Sequence, residues 1–164
     1  MHIIRSLMAA AGAVCLSFTP AIARTSQDLI DTIRDVGVNV HINGDHCTGG
    51  YFGKFSFNAE RNFGRVVLCP GPTVDPIDHA TVIHEAMHVA QYCYNKRLGR
   101  PHNTPILDYD ELVEKVNKYV HEDEVVFVKS SYERDVWLVE FEASLAENIF
   151  SQADMIEIVN TVCR

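Results

Sequence analysis

Two histidines four residues apart, His84 and His88, with Glu85 between them, set the strongest limit on how this chain can fold. On a helix this spacing leaves the two imidazoles about 40° apart around the axis and about 6 Å apart along it. Two rings and a carboxylate then leave one rigid turn together. The flanking sequence reads as that helix. Asp75 offers a cap and Pro76 a first turn, Gly99 a stop, and Lys96 and Arg97 suit the last turn. Val82, Ile83, Ala86 and Val89 supply apolar neighbours. A central helix is therefore expected over Pro76–Leu98.

The segments around it alternate in character. Leu29, Ile30, Ile33 and Val36 keep helical spacing behind Ser26 as a cap, with Gly37 ending that helix. Residues 38–69 change to strand patterning. Val38 to Ile42 alternates apolar and polar residues, and Asn43-Gly44 is a turn signal. Tyr51-Phe52 with Phe55–Phe57 gives a second strand and Arg65–Cys69 a third, all expected to pair antiparallel. The glycine-rich stretch 49–53 reads equally as a bulged edge strand or a loop. Further helices are expected from Asp108 to Glu122, from a Ser130–Glu133 capping box to Phe150, and from Ser151 to Val162. The fold class is α+β, a small antiparallel sheet packed on a mostly helical domain.

The N-terminus has a different purpose. Arg5 is followed by an apolar run from Leu7 to Phe18, then Thr19-Pro20, then Ala21-Ile22-Ala23. That order matches a secretory signal with cleavage after Ala23, leaving residues 24–164 as the domain. The apolar run is too short to cross a bilayer. Cleavage removes Cys15 and leaves Cys47, Cys69, Cys93 and Cys163, an even set in an exported chain, read as two disulfides. Pairing Cys47 with Cys69 closes a local hairpin, and pairing Cys93 with Cys163 ties the last helix to the central one. The other connectivities stay open at this point. A secreted or periplasmic location follows, with no membrane contact after cleavage. The chain carries 14 Lys and Arg against 22 Asp and Glu, a net charge of −8. Without a basic run it is a poor partner for nucleic acid.

Two imidazoles at this spacing can reach one Zn²⁺ at about 2.0–2.1 Å. Glu85 projects beside such a metal, where its carboxylate can take a proton from water. H-E-x-x-H on a helix preceded by a small sheet resembles the shared core of the zincin metallopeptidases. The extended metzincin form is not met, because Gln91 stands at its glycine and Tyr94 at its third histidine. Val139-Glu140-Phe141-Glu142-Ala143 resembles the E-x-E-A or E-x-x-A segment of gluzincin families. There the first glutamate is the third ligand, and the alanine lets the two helices approach. The resemblance implies His84, His88 and Glu140 as zinc ligands and Glu85 as general base. Many of these families place Asp directly after the alanine to orient a ligand histidine, where this chain has Ser144. Periodicity adds a conflict. On a helical wheel Glu142 falls among Leu138, Leu145, Ala146 and Ile149, whereas Glu140 lies at the edge of the apolar arc with Glu133, Ser144 and Glu147. The motif makes Glu140 the ligand; the pattern makes Glu142 the more buried carboxylate.

Other side chains are weaker candidates. Tyr92, Tyr94, Tyr109 or Tyr132 can donate a hydrogen bond to an oxyanion, and His102 or His121 can replace the glutamate ligand. His41, His46 and His79 carry no spacing argument. One of the two later strands is expected to lie at the sheet edge and pair with an extended substrate. The expected function is a monomeric zinc metallopeptidase acting on peptides or proteins. The alternatives are a non-catalytic exported binding module on the same scaffold and a zinc amidase acting on cell-wall peptides.

Overall fold

The computed structural model describes residues 25–42, 47, 52–58, 63–69 and 78–164. The expected leader, the Asn43-Gly44 turn, His46, residues 49–51 of the glycine-rich stretch, Asp75 and Pro76 lie outside the described residues. Among those described, six helices and three strands follow in the order α1 (Ser26–Asp35), β1 (Asn39–Ile42), β2 (Gly53–Asn58), β3 (Phe63–Leu68), α2 (His79–Leu98), α3 (Tyr109–Tyr119), α4 (Glu122–Ser131), α5 (Trp137–Ile149) and α6 (Gln152–Cys163). The α+β class holds.

The sheet differs from expectation in its direction. Its order is β1-β3-β2. β2 runs antiparallel to β3, from Gly53 opposite Leu68 to Asn58 opposite Phe63, but β1 runs parallel to β3, from Asn39 opposite Arg65 to Ile42 opposite Leu68. The sheet is mixed, not antiparallel throughout. Hydrophobicity gives the reason: Val66, Val67 and Leu68 are all buried, so β3 takes the centre. β2 alternates half-buried Phe55 and Phe57 with exposed Lys54 and Ser56, the pattern of an edge.

α2 is the axis of the domain, packed against α1, α5, α6 and two strands. Almost every side of it is covered, so its sequence lacks a polar face. Leu29, Ile33, Val66, Leu68, Val82, Ala86, Val89, Met155 and Val159 form the main core around it. Ala143 and Ala146 in that core let α5 lie close to α2. A smaller cluster of Leu112, Val116, Val120 and Leu145 joins α3 to α5. Cys47 is bonded to Cys69 and Cys93 to Cys163, with Cα separations of 5.6 and 4.9 Å.

Several helix ends follow the sequence: Gly99 closes α2 at φ 64°, Asp108 caps α3, and Ser151 with Asp154 forms the capping box of α6. Others move. Thr25, not Ser26, caps α1, in a capping box with Asp28. Asp78 caps α2, which starts at His79. The expected single helix ending at Glu122 stops at Tyr119, and His121 caps a separate α4. The Ser130–Glu133 pattern opens no helix, because Ser130 and Ser131 already close α4, and α5 begins at Trp137 without a side-chain cap. Among the described residues, no helix is long and apolar enough to cross a membrane.

Candidate metal centre

One turn of α2 presents His84, Glu85 and His88, and the first turn of α5 brings Glu140 to the same point. His84, His88 and Glu140 form a group whose donor atoms all lie within 4.8 Å of one another and which could hold a metal ion. The spacings are tighter than that limit. The two Nε2 atoms are 3.2 Å apart, His84 Nε2 lies 3.4 Å from Glu140 Oε2, and His88 Nε2 lies 3.5 Å from Glu140 Oε1. Donors held tetrahedrally at about 2.0–2.1 Å from one ion stand roughly 3.3–3.4 Å apart. Each pairwise approach is close to that value, the two histidines meeting different oxygens of Glu140.

The hydrogen bonds behind the rings say which atoms face inward. Gln91 Nε2 donates to Val139 O at 3.0 Å and to Glu142 Oε2 at 2.9 Å, so its Oε1 is left to accept from His88 Nδ1 at 2.8 Å. His84 Nδ1 donates to the Glu147 carboxylate. With both Nδ1 atoms donating, both Nε2 atoms turn lone pairs toward each other, which is repulsive unless a cation stands between them. In the metal-free chain a proton answers that need. Burial opposes an imidazolium at His84, but contacts with Glu140 and Glu147 outweigh it and carry its pKa up to about 10. Burial alone would raise the Glu140 carboxyl; His84 and His88 hold it down at about 2. Glu140 Oε2, buried, has no hydrogen-bond partner.

Glu85 stands beside the group and is not part of it. Burial pushes its carboxyl above the usual range against the pull of His84 and His88, and its buried Oε2 has no hydrogen-bond partner. The edge strand runs directly over it. A Cβ on Gly53 would stand 2.4 Å from Glu85 Oε1 and 2.6 Å from Thr81 Cγ2, so only glycine fits there. Next along β2, the ring of Phe55 stacks on His88 at a centroid distance of 6.2 Å.

Glu142 resolves the conflict between motif and periodicity. It is 1% exposed against 8% for Glu140, as the wheel implies. Its oxygens are occupied, accepting from Ile106 N–H at 2.8 Å, Leu107 N–H at 2.7 Å and Gln91 Nε2. It buttresses His88 through Gln91 and stays outside the metal group.

The other candidates separate. Tyr132 reaches the site: its phenol lies against Glu140 and near Glu85, and burial together with those charges raises its pKa. Tyr92 packs on Phe55 and Phe57, Tyr94 stacks with Arg97, and Tyr109 is exposed on α3. His102 packs on Phe57, and His121 is the exposed cap of α4. His79 joins Ser26 and Gln152, where α1, α2 and α6 begin. Neither Gln91 nor Glu147 was singled out as functional from sequence. The available signal was spacing: Gln91 is three residues after His88, and Glu147 is two helical turns after Glu140. Glu147 holds His84 in the way the missing Asp at Ser144 would have been expected to. No family model matches the chain, and no curated protein or solved structure matches it.

Proposed function

We propose that the chain is an exported, zinc-dependent peptidase of gluzincin type. One observation carries the reading: the two Nε2 atoms stand 3.2 Å apart and each lies within 3.5 Å of an oxygen of Glu140, beside the unpartnered Oε2 of Glu85. His84, His88 and Glu140 would hold the metal. Two imidazoles favour zinc over calcium or magnesium, which take oxygen ligands. Zinc bound there supplies Lewis acidity and lowers the pKa of a water to about 7.

The remaining chemistry belongs to the chain. Glu85, its carboxyl raised by burial, accepts a proton from the attacking water and hands it to the leaving amine. The Tyr132 hydroxyl is the donor to the oxygen that gains charge as the carbonyl is attacked. β2 is an edge strand passing over Glu85, placed to align an extended substrate backbone. Export rests on the leader pattern and on two disulfides, which fit an oxidising compartment.

The test is Glu85→Gln in the zinc-loaded, oxidised protein, assayed on a mixed peptide pool that includes cell-wall stem peptides. Wild type should cleave, and the variant should retain zinc while losing about a thousandfold in rate. Cleavage confined to the stem peptides would favour the amidase. No cleavage by zinc-loaded wild type would favour a binding module.

A further inference from the structure

Beside the metal group, α5 also forms the wall of a second feature. Leu112 and Val116 of α3, Val125 of α4, and Trp137, Leu138 and Phe141 of α5 line a groove of about 440 Å³. That volume lies within the range of ligand-binding clefts, roughly 300–1,000 Å³. Trp137 and Phe141 stand three residues before and one after Glu140 on the same helix, so groove and metal group occupy adjoining faces of α5. Two cations border it, Lys129 from the last turn of α4 and Arg134 from the link into α5.

The protein is strongly acidic, yet neither Lys129 nor Arg134 forms a salt bridge with another described residue. Arg134 instead lies over the ring of Trp137, 6.0 Å from its centroid, which braces the guanidinium against the apolar wall. The surroundings are apolar as well. α4 buries only Val128 fully, and leaves Val126 and Phe127 each 58% exposed. Tyr109 and Val113 of α3, both lining the groove, are exposed too. An apolar trough with two positive charges at its rim complements an apolar segment that carries carboxylates.

We infer that this groove recognises an acidic, apolar stretch of the polypeptide substrate and holds it alongside the metal group. The inference rests on the peptidase reading for its choice of a polypeptide. It assigns specificity to Lys129, Arg134 and Trp137. Apolar side chains of the substrate fill the trough between α3 and α5, and acidic ones meet the two cations.

Trp137 is the one tryptophan in the chain, so its fluorescence reports on the groove. Zinc-loaded Glu85→Gln protein is titrated with two blocked peptides of the same Leu-Phe-Leu core, one flanked by glutamates and one by lysines. The acidic peptide should shift Trp137 emission and bind about tenfold more tightly. Lys129→Glu with Arg134→Glu should reverse that preference. Lys129→Met with Arg134→Met, which removes attraction without adding repulsion, should abolish it. Equal affinities, an unmoved Trp137, or a preference that survives both double variants would overturn the inference. So would tighter binding of decanoate or of anionic vesicles, or a dimer in sedimentation that buries Trp137. The two readings fail separately. Charge-selective binding with no hydrolysis by wild type keeps the groove and removes the peptidase; hydrolysis indifferent to both double variants does the reverse.

Discussion

Gly53→Ala tests the contact between the edge strand and the site. The new Cβ would stand 2.4 Å from Glu85 Oε1, 2.6 Å from Thr81 Cγ2 and 2.9 Å from Glu85 Cγ. Real contacts of this kind do not fall below about 3.0 Å, so a displacement of roughly 0.6 Å is forced on Glu85, on the strand, or on both. The carboxylate tip could swing, but the contacts with Thr81 Cγ2 and Glu85 Cγ would remain. Overpacking of this kind costs about 1–3 kcal/mol. A base displaced by most of an ångström loses about a hundredfold in rate. His84, His88 and Glu140 are not in the clash, so metal affinity should change less than threefold. The assays are urea unfolding, competition against a chromophoric chelator, and peptide hydrolysis, all on one preparation. Wild-type stability together with a wild-type rate would refute the close approach of β2 to Glu85.

Two further predictions concern the metal group. In the metal-free chain His84 is protonated well above its ordinary pKa of 6.5, up to about 10, so metal must displace a proton. Affinity should tighten about tenfold per pH unit between pH 7 and 9, measured by calorimetry in buffers of different ionisation enthalpy; uptake without proton release would contradict it. The same shift makes the His84 contribution to metal-free stability fully present below pH 6.5 and lost as pH rises through about 10. Gln91→Met keeps the side chain's bulk but removes the acceptor at His88 Nδ1 and one donor to Glu142. Metal affinity should weaken about 10–100-fold, read by chelator competition, and an unchanged affinity would show that the relay does not orient His88.

The readable parts of this protein were those written in local spacing. The His84–His88 interval fixed a helix, Gly99 its end, and Asp108 and Ser151 the starts of α3 and α6. Glu140 was legible only through its resemblance to a motif, since the helical wheel favoured burial of Glu142. The two carboxylates occupy different places, Glu140 in the group with His84 and His88 and Glu142 behind His88 through Gln91. Strand order was not legible. A turn signal at Asn43-Gly44 says nothing of which strand the core draws to the centre, and β3, buried from Val66 to Leu68, separates β1 from β2. α4 was missed because Val125–Val128 has no helical periodicity and Val126 and Phe127 stay exposed. Gln91 and Glu147, which hold the two imidazoles, escaped because the contacts that fix them cross to another helix: Gln91 reaches Val139 and Glu142, and Glu147 reaches His84.

The most direct measurement is metal content of the oxidised, tag-free protein purified without chelators, compared with Glu140→Ala and Glu142→Gln. One zinc per chain is predicted for wild type, none for Glu140→Ala, and a weakened but present zinc for Glu142→Gln, because only Glu140 lies in the donor group. Folded wild type that takes up no zinc, or a Glu140→Ala variant that holds it as firmly as wild type, would contradict the assignment of this site.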